Sequence, residues 1–559
     1  MTSTSTDIPE ELKCKVDTVD GPVCGYMDKS EEVTCYMFKG IPYAKPPLKS
    51  LRFLPPSPVT PWTEAKDCTQ NAPVPLQYHM WKNLMGTEDC LYIDVITPNI
   101  HPDKALPVMF WIGCHGFMYF IDPVYDPTLL NAQGVIFVRC GFRMGPFGFL
   151  TTQDMSAPAN CGLKDIVMAL KWVQRNISAF GGDPTNVTIF GSSTGGTIVH
   201  LMMLSPMAAG LFHKAIIQSL SAINTWTITR NPLKLVMDLG KALNIKKINK
   251  TEIIEELKSL PASDIMKAYI DIIEIFKQDK ERDIIDLLIK PCIEIEFEGQ
   301  PAFLPRWPES ILKMGHMNKV PLIIGSNNVE ASVLEFVTCD FYKDFKIINQ
   351  NEHLIVPKAL TGKSKASKAI GQRLLQFYLG GEEQLREDTK AQYLQMLTDY
   401  YFLYHINKTV TLHIQHAPQC PVYYYVVNYA GEWTVPSKYK FFNSLGHYAE
   451  MPFIFRLKIP DTHVCKGSRD SVTARKRVTK MWTNFAIHGN PTPDDKDRLL
   501  HIKWDPVEDS ENINYLSIGS ELTKGRNPFQ DRMEFWDDLH KELTFMRTLV
   551  YINETGIHW

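Results

Sequence analysis

Short apolar, β-branched runs alternate with stretches of helical period through the first half of the chain. Val108–Ile112 reads as a strand followed by a turn around Gly113–Gly116, and Gly134–Arg139 reads as another strand. Leu163–Ala179 carries apolar residues at helical spacing and stops before the turn Gly181-Gly182-Asp183-Pro184. V-T-I-F at Val187–Phe190 reads as a short buried strand, and Thr197–Ser205 as an apolar helix. Ala215–Gln218, Val320–Gly325 and Val422–Tyr429 supply further strands. Thr251–Lys290 is amphipathic with a break at Pro261 and reads as a helical insertion. Arg475–Ile487 and Met533–Arg547 read as helices near the end. Strand and helix in alternation predict an α/β protein, a large mostly parallel sheet covered on both faces. Chemistry in such sheets sits in the loops after the carboxyl ends of the strands. Three of those loops are Gly113–Gly116, the turn at Ser193, and Asn327–Glu330.

The turn at Ser193 is the most specific of the three. Gly191 to Gly195 spell G-x-S-x-G between a strand and a helix, the setting of a nucleophile elbow. Glycines at both ends let strand and helix approach closely. Ser193 then presents its hydroxyl at the head of a helix, where developing negative charge is favoured. The plainer alternative is a helix-start turn with Ser193 as its cap. An acid and a histidine following in order decide between them.

Composition narrows the class. The chain has 559 residues, 44% of them hydrophobic, and a net charge of -3 with pI about 6.6. No repeat, linker or charge block divides it, so one domain over residues 1–559 is expected. The near-neutral charge argues against a nucleic-acid partner. Arg475-Lys476-Arg477 reads as a solvated helix face. The N-terminus has no apolar signal core and no run is long enough to span a membrane, so a cytoplasmic protein is expected. The 12 cysteines show no C-x-x-C pair and no zinc spacing.

The residues also match a family. F-K-G-I-P-Y-A-K-P-P at Phe38–Pro47, Glu88-Asp89-Cys90-Leu91-Tyr92, Arg143–Phe149, Asn160–Asp165 and Phe180–Pro184 run into the elbow. In these the chain resembles the type-B carboxylesterases and cholinesterases of the α/β-hydrolase fold, and in flavour the cytoplasmic insect esterases. The resemblance implies a deep active-site gorge. It places the nucleophile on Ser193, the acid on Glu330 in G-S-N-N-V-E-A-S and the histidine on His447 in G-H-Y-A-E-M-P-F. It implies oxyanion amides from His115, Gly116 and Thr194, and an acyl pocket lined by Trp226. It further implies ion pairs Arg143–Asp165 and Arg52–Glu88 and a Cys68–Cys90 disulfide, which a reducing cytoplasm would leave open. Trp81 lies near the loop where cholinesterases hold choline.

A serine hydroxyl needs a neighbouring base to attack a carbonyl, and the base needs a carboxylate to fix its tautomer. Ser193, His447 and Glu330 meet that requirement in the α/β-hydrolase order. The expected function is hydrolysis of small to medium apolar carboxylic esters, in detoxification or in lipid, hormone or pheromone turnover, with no cofactor and no metal. The departures weigh against full activity. Gly113-Cys114-His115-Gly116 stands where the family has H-G-G-G, Ser192 stands for an acidic residue, Thr194 for an alanine, and Phe120 for a small residue. The alternative expectation is a catalytically weak or inactive protein that binds or sequesters hydrophobic esters.

Overall fold

The computed structural model describes residues 8–555, apart from 30–32, 79–82, 121–123, 280–281, 335–344, 362–365, 382–383, 436–439, 441–442 and 460–465. Among the described residues, 13 strands form one sheet. Its centre runs Ile136–Cys140, Leu106–Trp111, Gly182–Ser192, Lys214–Gln218, Leu322–Asn327, Val422–Val427, Asn514–Ile518, each neighbour parallel to the next. Antiparallel strands close both ends. Tyr92–Thr97 pairs beside Ile136–Cys140, and Leu522–Arg526 beside Asn514–Ile518.

The strands form because side chains alternate between two dry faces. Val108, Phe110 and Ile189 enter the core on one face; Met109, Trp111 and Phe190 enter the core on the other. The predicted strands agree with the observed ones within a few residues. Gly182–Ser192 is the largest extension, because Val187–Phe190 continues in both directions while paired to two neighbours.

Strand order places the chemistry. After Leu106–Trp111 the chain makes Ile136–Cys140 on one side and Gly182–Ser192 on the other. The sheet therefore reverses direction of growth at Leu106–Trp111, the kind of switch point beyond whose carboxyl end open α/β sheets bind ligands. The loop from Gly113 begins there.

The predicted helical insertion is two helices, Lys250–Ser259 and Ala262–Gln278, separated at Leu260-Pro261. Helix stops at Gln278, short of the expected reach to Lys290. The last helices also begin earlier than expected, at Arg469–His488 and Gln530–Thr555. Arg475 and Arg477 are not a solvated face. Arg475 is buried, donates to the Pro452 carbonyl at 2.7 Å and lies 4.3 Å over the Trp433 ring. Arg477 donates to the Leu499 and Ser520 carbonyls.

Both expected ion pairs form. Arg143 and Asp165 meet at 2.6 Å with both side chains buried. Arg52 holds Glu88 with two bonds of 2.6 Å and donates also to the carbonyls of Leu257 and Leu260, which ties the Lys250–Ser259 helix end to the N-terminal third. A third core lies apart from the sheet. It gathers Leu220, Trp226 and Ala331 with the helices Ala366–Leu379, Lys390–Thr398 and Gln530–Thr555 and the stretch Tyr400–Tyr404, while the rest of the helix Tyr404–His416 packs on the sheet core.

Candidate active site

The strand Gly182–Ser192 ends one residue before a sharp turn. Ser193 has φ 61° and ψ −133°, and the helix Thr194–Leu204 starts at once. Such a backbone costs of order 1–3 kcal/mol and persists only where the surroundings enforce it. They do so through close approach. A Cβ on Gly195 would lie 2.3 Å from the Ile112 carbonyl, and one on Gly191 2.7 Å from the Gly195 backbone. The Ser193 side chain makes no capping bond to the helix, so the hydroxyl is left for other partners.

Glu330 and His447 meet beside this turn. The His447 Nδ1 lies 2.6 Å from Glu330 Oε2, and both side chains are buried. The carboxylate's other oxygen accepts the Asn327 amide at 2.7 Å, and the His447 amide donates to the Glu330 carbonyl at 3.1 Å. A carboxylate at Nδ1 fixes the proton there and leaves Nε2 as the basic nitrogen. Tyr448, the next residue, holds its ring 4.4 Å from that of His447, and the Ser193 side chain acts on its phenol, which brings the serine and the histidine into one site.

A second carboxylate lies behind them. Glu450 accepts from Ser192 Oγ at 2.7 Å, Asn327 Nδ2 at 2.6 Å and Gln218 Nε2 at 3.3 Å. Burial, and then the nearby Glu330 charge, push its carboxyl above the usual range. Ser192 is thus one of three donors to this buried group.

The loop after Leu106–Trp111 folds back on itself. The His115 amide, expected to face an oxyanion, instead donates to the Tyr119 carbonyl at 2.9 Å, and the Tyr119 amide returns a bond of 3.2 Å. The reversal is made by Gly116 at φ 62° and Phe117 at φ 58°. The left-handed non-glycine backbone of this loop therefore falls on Phe117. Thr194 Oγ1 donates to the Cys114 carbonyl at 3.0 Å, and Gln77 clamps both backbone groups of Phe120. His115 stacks on Tyr119 at 5.4 Å and meets Tyr448 at 4.6 Å.

Trp226 sits one ring away from His447. Its indole N–H donates to the Tyr401 carbonyl at 3.0 Å, and its ring meets Phe402 edge-on at 6.1 Å. Phe402 lies 5.3 Å from His447. It belongs to a π turn, Asp399–Leu403, a feature often found at functional sites. Phe402, Tyr119, Tyr448 and Glu450 are missing from the expected set. Glu450 had a signal, since it stands three residues after His447 in the same motif. The others are placed by tertiary packing.

A family profile described as "Carboxylesterase family" matches residues 13–536.

The chain belongs to the carboxylesterase family.

It is a carboxylic ester hydrolase of the α/β-hydrolase fold. It is 30% identical to the juvenile hormone esterase of Tribolium castaneum, over 93% of each chain. It is 30% identical to Esterase FE4 of Myzus persicae, over 85% of this chain and 84% of that one. The crystal structure of juvenile hormone esterase from Manduca sexta, with OTFP covalently attached, superposes with a TM-score of 0.79 at 25% identity. It covers 95% of this chain and 100% of that one.

The family's disulfide is not formed here: Cys68 and Cys90 are both buried free thiols, and burial pushes Cys68 up to about 12. Trp81 lies outside the described residues. Among the described residues no group of three metal-ligating side chains is present, and no helix is long and apolar enough to cross a membrane.

Proposed function

We propose that this carboxylesterase hydrolyses small to medium apolar esters through an acyl-enzyme on Ser193. The observation that carries the reading is the buried 2.6 Å contact between His447 Nδ1 and Glu330, beside a serine whose strained turn leaves its hydroxyl uncapped. His447 Nε2 takes the Ser193 proton as Oγ attacks the carbonyl carbon, and then gives it to the leaving alcohol. A water molecule repeats the sequence on the acyl-enzyme and frees the acid. Glu330 stabilises the imidazolium in both halves. The amides of Gly116 and Thr194 are the backbone donors for the oxyanion. Trp226 and Phe402 give the acyl side an aromatic wall, which favours apolar esters. The names of the relatives make juvenile hormone a substrate to include beside simple esters.

The test is a burst of alcohol release from a p-nitrophenyl ester, together with covalent labelling by a fluorophosphonate. Wild type is expected to do both, and Ser193→Ala neither. Equal rates in the two proteins would reject Ser193 as nucleophile.

One observation favours a slower variant of this reading. The His115 amide is committed to Tyr119, and loss of an oxyanion donor costs about 10²–10³ in rate. A protein that labels stoichiometrically yet turns over slowly would act chiefly by capturing hydrophobic esters.

A further inference from the structure

His447 is followed by a tyrosine in the left-handed region, φ 70°, where a bulky side chain is a genuine outlier. The backbone there aims the ring into the site. It lies 4.4 Å from His447 on one side and 4.6 Å from His115 on another, and the Ser193 side chain acts on its phenol. A strained residue packed against the base, with the serine acting on its phenol, is poised to act on the reacting atoms rather than to fill space.

The loop opposite supplies the need. In the expected arrangement three backbone amides face the oxyanion, but the His115 amide bonds the Tyr119 carbonyl. The site therefore holds one polar hydrogen fewer from the backbone and one more from a side chain.

We propose that Tyr448 is a catalytic residue whose phenol O–H donates to the oxyanion in place of the His115 amide. When Ser193 Oγ bonds the ester carbonyl carbon, its proton passes to His447 and the C=O π electrons move onto the carbonyl oxygen. That oxygen and Oγ then share one carbon. A phenol packed against His447 and beside Ser193 reaches the oxyanion by a small swing of the ring. No proton leaves the phenol. When the intermediate collapses, the electrons return to the C=O bond, the alcohol departs with the proton from His447, and the Tyr448 ring swings back. Burial holds the phenol well above the usual tyrosine range, so the O–H is retained at any pH where His447 works as a base. The inference rests on Ser193 being the nucleophile.

Tyr448→Phe removes the hydroxyl and keeps the ring. On a short-chain p-nitrophenyl ester, kcat is expected to fall about 10²-fold with KM within about threefold. Affinity for a trifluoromethyl ketone, which Ser193 converts into a hemiketal oxyanion, should fall in parallel with kcat/KM. Unchanged far-UV circular dichroism and thermal unfolding would show that the variant folds. Loss of kcat with no loss of ketone affinity would overturn the proposal, as would a kcat within threefold of wild type. A faster variant would also overturn it and make the phenol a bar to attack. Wild-type protein that neither turns over nor labels would instead reject the nucleophile reading itself.

Discussion

His115 shows how one side chain separates two effects that share a position. Its amide is held in the turn closed by Gly116 and Phe117, while its ring stacks on Tyr119 and meets Tyr448 at a tilt. Replacing it by glycine removes the ring but leaves the turn's hydrogen bond. His115→Gly is therefore expected to widen the acyl range rather than to raise kcat on acetyl esters. Each methylene admitted to an apolar pocket is worth about 10–200-fold in discrimination. The kcat/KM ratio of hexanoate to acetate esters should rise by at least tenfold; an unchanged ratio would mean the ring does not border the acyl chain. Local sequence made Ser193, Glu330 and His447 legible, because each sits in a motif whose backbone context is written by its neighbours. Tyr448 was not legible in the same way. Its place in the site comes from a positive φ and from ring contacts with His447 and His115, the latter across 333 residues, which no local pattern encodes.

Among the elements, the elbow is the most tightly specified. Gly191, Gly195 and Gly196 each bring the helix Thr194–Leu204 against neighbouring backbone, and a Cβ at any of them would sit at 2.3–2.9 Å from backbone atoms. Backbone cannot yield as a flexible side chain does. Gly195→Ala is expected to cost at least about 3 kcal/mol and to lower soluble yield, whereas Ser193→Ala leaves folding intact. Comparing the two variants by limited proteolysis checks this; equal resistance would show that the strand and helix have room to part. The strands were readable because two-faced burial writes continuous apolar runs. Helix ends were less so. The apolar period runs past Gln278 without marking the stop there, and the inward turn of Arg475 depends on Trp433, which lies 42 residues earlier. The π turn at Asp399–Leu403 left no mark in the periodicity, yet it delivers Phe402 to His447.

At the scale of the whole molecule, the site lies where the sheet meets the third core, and buried histidines join the two. His200, on the elbow helix, accepts the Ala222 amide at Nδ1 (3.0 Å), so its proton is on Nε2 and points at His413 Nε2, 3.1 Å away. His413 and His405 lie on the helix Tyr404–His416, and His405 Nδ1 contacts the Tyr400 carbonyl at 2.8 Å. The His200–His413 pair cannot take up a proton without setting two N–H groups face to face or losing the Ala222 bond. Burial holds all three rings neutral: His413 is pulled down to about 4, His405 to about 3, and His200 well below its usual value. Unfolded histidines titrate near ~6.5. Below that pH the unfolded chain binds protons that the folded one refuses. The stability these groups contribute is thus complete above about pH 6.5 and drains away as pH falls toward 4, by roughly 2–3 kcal/mol for each of His413 and His405. A chain of this size is best followed by its rate of irreversible inactivation. Protein held at pH 7 to 4.5 and returned to pH 8 for assay should inactivate progressively faster on the acid side. His413→Gln keeps an acceptor for the His200 N–H but cannot titrate, so its acid limb should be shallower than that of wild type. Identical slopes would assign acid lability to other groups and leave the histidines as neutral packing between the two cores.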